Sequence, residues 1–327
     1  MKKVYSLKDI DELQRKGGLD GIPTDAIITP SARDRLKEFK MSDTEKPAPA
    51  KGLEGVVAAT TKLSSVRGLE GELIYRGYNI NELAEHSTFE ETAYLLIHGV
   101  LPTQTQLDDY DAELKGAREL PEQIFDVIEI VKDAHPMDAL RTAVSALSGF
   151  DPDRNDNSTE ATIRKGLRLT SQVPSIVMAH HNIRRGKDPI KPSTTLNHAG
   201  NFLYMMDGNE PSGQAMNLMD KDFVLHADHG SNASAFTARV VAGTSADIHG
   251  AVTAGIAALS GPSHGGAAEN VMQMAREIGK PENAADYVQN LLSNRQRVMG
   301  FGHRVYKAED PRAGHLRQGV KDLSEEM

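Results

Sequence analysis

Cysteine is absent from the 327 residues, so disulfides, thiolate nucleophiles and Cys-based metal sites are excluded, and a reducing cytoplasm is the expected setting. No apolar run is long enough to span a bilayer, so no membrane partner is expected. Met1-Lys2-Lys3 leads into a charged amphipathic stretch rather than an apolar one, so a secretory leader is not expected either. Excess positive charge is missing too. The formal net charge is −9, and an acidic chain is a poor binder of nucleic acid, which rests on neutralising phosphates. One stretch runs against that balance: Arg295 to Lys307 (RQRVMGFGHRVYK) holds basic residues and no acidic ones, a patch suited to a small polyanion or simply a solvated face.

Regular alternation of strand and helix is lacking, which argues against a Rossmann-type sheet, and no internal repeat has a solenoid period. Helix signals take their place. Ser6 caps a short helix with Leu7, Ile10 and Leu13 on one face, ended by Gly17-Gly18. A second helix starts at Thr29-Pro30 and carries Leu36 and Phe39, and Asp43 to Ala50 reads as a linker. Residues 1–50 are thus an extension, either poorly ordered or an amphipathic piece that docks a partner or compartment shell. From Lys51 onward the pattern is compact. Val56 to Thr61 and Leu73 to Tyr75 are short strand candidates. Ser87-Thr-Phe-Glu90 reads as a capping box, and Gly99 ends the helix that follows it. Pro121 and Pro136 each open a helix, with Ile124, Val127, Ile128 and Val131 repeating at helical spacing in the first. Further helices are predicted over 160–180, 194–206, 224–243, 247–259, 264–279 and 283–293. The fold class is all-α. The helices over 224–243 and 247–259 are rich in alanine, which suits close packing at the molecule's centre or at a subunit interface.

Three segments carry chemistry. In Leu225-His-Ala-Asp-His-Gly-Ser-Asn232, a continuous helix would put His226, His229 and Asn232 on one face. They suit a metal site completed by Asp228, hydrogen bonds to a carboxylate-bearing substrate, or histidines satisfied in a core. Asp228 would point away from that face, which weakens the metal-dependent hydrolase reading. In Leu259-Ser-Gly-Pro-Ser-His-Gly-Gly-Ala267, His264 stands at a helix start. A helix N-terminus favours neutral imidazole, which can donate to a developing enolate oxygen, and the alternative is an ordinary cap. In Gly300-Phe-Gly-His-Arg-Val-Tyr-Lys, two glycines beside His303 suggest a tight turn whose backbone meets a ligand, though the Lys-Ser/Thr ending of a P-loop is absent. Arg312 follows Pro311 at a predicted helix start, and its planar fork suits a carboxylate.

VLHADHGSNAS, GPSHGGA and GFGHRVYK…DPRA, in this order and spacing, resemble the signature segments of citrate synthases. GELIYRGYNI, STFEETAYLLIHGVLPT, HPMDALRTAVSAL and NFLYMMDGNEPS are similar as well, so the resemblance runs from Lys51 to Met327. It implies a two-domain helical homodimer, here with a large domain over 51–265 and a small, incomplete one over 266–327. It implies condensation of acetyl-CoA with oxaloacetate, or of propionyl-CoA in a 2-methylcitrate synthase. By resemblance, His264 stabilises the enolate of acetyl-CoA and His303 polarises the oxaloacetate ketone. His229 and Arg312 hold oxaloacetate, with Asn232 a further candidate. Backbone around Met299, Gly300 and Gly302 contacts CoA, which enters as substrate; no metal or other cofactor is implied. Family members continue past the DPR segment into a part carrying the catalytic aspartate, and neither Asp310 nor Asp322 matches it. The expectation is a C-terminally truncated chain with little or no turnover, or a non-catalytic remnant that binds oxaloacetate and CoA.

Overall fold

The computed structural model describes residues 4–24, 26–40, 60–302 and 305–326. The expected linker, most of the strand predicted from Val56, and His303 lie outside the described residues. The chain divides into two compact units, Met1–Thr60 and Thr61–Met327.

In the first unit, strand β1 (Val4–Tyr5) pairs in parallel with β2 (Ile27–Ile28), and helices α1 (Leu7–Arg15) and α2 (Pro30–Lys40) pack on each other. Ser6 caps α1 in a box with Asp9, as its sequence suggests. Tyr5, Ile10 and Ala32 are buried, with Leu13, Leu36 and Phe39 packed around them. Among the described residues of this unit, the two amphipathic helices bury their apolar stripes against one another.

The second unit opens with an antiparallel sheet of β3 (Ser64–Arg67), β4 (Glu72–Tyr75) and β5 (Tyr78–Asn79). Helices follow without a further strand among the described residues: α3 (Ile80–His86), α4 (Phe89–His98), α5 (Gln104–Gly116), α6 (Glu122–Ile130), α7 (Pro136–Leu147), α8 (Thr159–Ile183), α9 (His198–Asp207), α10 (Gly213–His226), α11 (Ala233–Ala242), α12 (Ile248–Leu259), α13 (Gly266–Ile278), α14 (Ala284–Ser293) and α15 (Pro311–Glu326). The all-α expectation holds. None of the described helices is long and apolar enough to cross a membrane.

The main core lies between α6, α7, α8 and α12, where Ile124, Ile128, Val144, Leu147, Leu169, Ile176 and Ile256 are buried together. A second core places Leu73 and Tyr75 of β4 against Ile80 and Leu83 of α3, Leu95 of α4, and Val224 and Leu225 at the end of α10. The alanine-rich pair behaves asymmetrically. Helix α12 buries Ala251, Gly255 and Ile256, whereas α11, packed close on it, buries no residue. A β-carbon at Gly255 would sit 3.5 Å from the Ser234 carbonyl oxygen, which is how the two axes come so near.

Two local expectations need correction. The cap of α4 is Thr88, not Ser87: Thr88 and Glu91 form the reciprocal box, and Glu90 is instead buried, accepting from the His198 backbone N–H at 2.8 Å. The helix predicted over 224–243 is two helices. Helix α10 stops at His226, Gly230 beyond it turns the chain at φ +61°, and Asn232 caps α11 by accepting from the N–H groups of Ser234 and Ala235.

Candidate active site

The break between α10 and α11 builds the site. With the chain turned at Gly230, His229 and Asn232 do not share a helix face; they line the wall of a cleft of about 690 Å³. The opposite wall comes from the turn between α12 and α13. There Gly265 N–H donates to the Leu259 carbonyl and His264 N–H to the Gly261 carbonyl, so His264 stands two residues before the first residue of α13. A β-carbon at Gly265 would lie 2.4 Å from the Leu259 oxygen, so only glycine fits this fold-back. Val66 of β3, Ala267, Gly302 and Val305 complete the lining, and among the described residues that line it there is no carboxylate.

His264 is held by a partner the sequence did not advertise. Its Nε2 lies 2.8 Å from the Ser234 hydroxyl, across thirty residues of chain. Ser234 sits in the first turn of α11, where it reads in sequence as one more small residue of an alanine-rich helix. Only tertiary packing of α11 on α12 brings the two together, and no local signal announces it.

The remaining predicted residues divide. His229 is half-buried with its ring edge-on to buried Tyr306, centroids 5.6 Å apart. Arg312 is the second residue of α15, as expected, and its guanidinium grips Asp310 through Nε at 2.9 Å and Nη2 at 2.7 Å. Burial opposes ionisation of Asp310, but its hydrogen bonds from Arg312 prevail and hold the carboxyl below the ordinary carboxylate range. Arg312 is not part of the cleft lining, nor are Met299 and Gly300, although Gly300 and Gly302 both take positive φ and make the tight turn expected of them. His226, Asp228 and His229 do not converge on one point. His226 turns to Asp222, which raises its pKa by hydrogen bonding, and Asp228 faces Ser64 and the Gly230 N–H. Among the described residues, no cluster of three or more such side chains is arranged to hold a metal.

Residues 52–327 match the family described as "Citrate synthase, C-terminal domain". The chain belongs to the citrate synthase family. Citrate synthase 2 of Bacillus subtilis is 44% identical over 84% of this chain and 74% of its own length. The 2-methylcitrate synthase of Mycobacterium tuberculosis H37Rv is 40% identical over 85% of this chain and 70% of that protein. Among solved structures, the citrate synthase of Pyrobaculum aerophilum superposes with a TM-score of 0.79 at 41% identity, covering 84% of this chain and 71% of its own. The citrate synthase of Thermoplasma acidophilum, solved as a ternary complex with carboxymethyl coenzyme A and oxaloacetate, gives a TM-score of 0.79 at 27% identity, over 85% and 74% of the two chains. The helical fold and the acyltransferase class both follow from membership in this family.

Proposed function

We propose that the cleft binds oxaloacetate and acetyl-CoA and serves their condensation to citrate and free CoA. The observation that carries this is the Ser234–His264 contact of 2.8 Å at the edge of a cleft shared with His229. A hydroxyl donating to Nε2 leaves the imidazole proton on Nδ1, the neutral tautomer that can donate to a thioester carbonyl oxygen as it becomes an enolate. His229 and Asn232 take the oxaloacetate carboxylates, with Arg312, paired with Asp310 outside the cleft lining, a further candidate, and His303 polarises the ketone that the enol carbon attacks. Hydrolysis of the resulting thioester releases CoA, whose phosphates suit the basic stretch around Met299 to Gly302. No metal or redox group has a part in this reading.

Loss of the acetyl methyl proton needs a base, and no carboxylate lines the cleft among the described residues. The absence of cysteine suits a reducing cytoplasm. A homodimer formed through α11 explains why that helix buries no residue while leaving Ala235, Val240 and Ala242 exposed.

Thiol release with oxaloacetate and either acetyl-CoA or propionyl-CoA is the test. The expected outcome is oxaloacetate-dependent release, faster with acetyl-CoA, at a rate about 10²–10⁴-fold below that of a relative whose cleft holds a base. Release that ignores oxaloacetate refutes the function, and release at a relative's full rate refutes the account of the base. A preference for propionyl-CoA shifts the assignment to 2-methylcitrate synthesis, as in the Mycobacterium relative.

A further inference from the structure

The hairpin β3–β4 reaches the site with one face. Register pairs Ser64 with Tyr75 and Val66 with Leu73, and alternation puts these four side chains on the same side while Ser65 and Arg67 are exposed. That side meets the turn that carries His229. The Tyr75 hydroxyl, fully buried, accepts from the Asp228 N–H at 3.1 Å and donates to the Asp228 carbonyl at 2.6 Å, with the Leu225 carbonyl 3.2 Å away. It thus caps the open carbonyl end of α10, which would otherwise bury unpaired backbone groups. Burial pushes its pKa up, so it remains a donor at every physiological pH. Beside it, the Ser64 hydroxyl donates to the Asp228 carboxylate, which also accepts from the Gly230 N–H at 2.8 Å. The hairpin's tip grips the other substrate-binding loop: the Gly68 carbonyl accepts from Lys307 N–H at 2.8 Å, and a β-carbon at Gly68 would lie 2.2 Å from the Val305 oxygen.

We propose that the β3–β4 hairpin is the positioning element for oxaloacetate, with Ser64 and Tyr75 as positioning residues that fix the Asp228–Gly230 turn and aim His229 into the cleft. The proposal rests on the oxaloacetate reading of the cleft. Neither residue touches substrate. Each acts through hydrogen bonds to Asp228, the residue before His229, so their loss loosens one imidazole and leaves the CoA side of the cleft alone.

The test is calorimetric titration of the full chain with oxaloacetate and, separately, with CoA, for wild type, Ser64→Ala, Ser64→Thr and Tyr75→Phe. Ser64 is only partly buried, so its variants keep the test decisive even if Tyr75→Phe folds poorly. Expected are oxaloacetate affinities weakened about tenfold in Ser64→Ala and Tyr75→Phe, a loss on the scale of one buried hydrogen bond. CoA affinity stays within about twofold, and Ser64→Thr, which retains the hydroxyl, returns to within about twofold of wild type. Unchanged oxaloacetate affinity in both hydroxyl-deletion variants overturns the proposal, as does parallel loss of both ligands, which marks a purely structural role. A wild-type chain that binds no oxaloacetate overturns the functional reading itself and the proposal with it.

Discussion

Asp220 is a carboxylate in an environment that opposes its charge. It sits on α10 with 8% of its surface exposed; burial, then the nearby Glu90 carboxylate, pushes its pKa up to about 7 against the opposing pull of the Phe89 N–H. The folded state keeps this proton up to about pH 7, whereas the unfolded chain releases it near pH 4. Unfolding between those values releases a proton, so stability falls as pH rises across that window and stays low above it. Asp220→Asn keeps an oxygen for the Phe89 N–H and removes the titration. The expected result is a variant about 2–4 kcal/mol more stable than wild type at pH 8, with the gain vanishing near pH 4. Thermal unfolding across that range checks it, and a gain independent of pH would contradict the burial argument. At this scale the sequence yielded His229, Asn232 and His264 because glycine-flanked histidines in polar segments are visible locally. It did not yield Ser234, Ser64 or Tyr75, whose roles depend on contacts 30, 164 and 153 residues away in sequence.

Helix ends decide the element scale. The Gly99 terminus is legible because only glycine takes its positive φ cheaply, and the structure has it at +87°. The α4 start was misread by one residue because Ser87-x-x-Glu90 and Thr88-x-x-Glu91 fit the capping pattern equally well. Tertiary demand chooses between them, since Glu90 is needed inward at the His198 N–H. Thr88→Ala should cost about 1 kcal/mol in denaturant unfolding, and Ser87→Ala only a few tenths. Equal costs would return the cap to Ser87. The 224–243 stretch was misread for a related reason: its apolar and small residues keep helical spacing through Gly230, so periodicity alone does not register the break. That break is what lets His229 and Asn232 line a cleft rather than the surface of one rod.

For the whole molecule, helical content and the main core were legible because Ile124, Ile128, Val144 and Leu147 repeat at helical period and all prove buried. What covers α11 was not, since a stripe of alanines is equally at home inside a fold and between two chains. The dimer reading makes a clear claim. Val240 is 55% exposed on α11, and if the proposed dimer forms there, Val240→Glu should shift the chain from dimer to monomer in sedimentation equilibrium while its helical signal is retained. A wild-type chain that sediments as a monomer at micromolar concentration contradicts the dimer.

All three scales converge on one cleft, which a glycine turn, a hydroxyl–imidazole contact and a helix pair assemble around His229 and His264. Isothermal titration with oxaloacetate tests it most directly, comparing the wild-type chain with His229→Ala. The account predicts saturable binding by wild type and at least about tenfold weaker binding by the variant, the usual effect of removing a hydrogen bond to a charged group. No binding by wild type, or equal binding by both proteins, would contradict it.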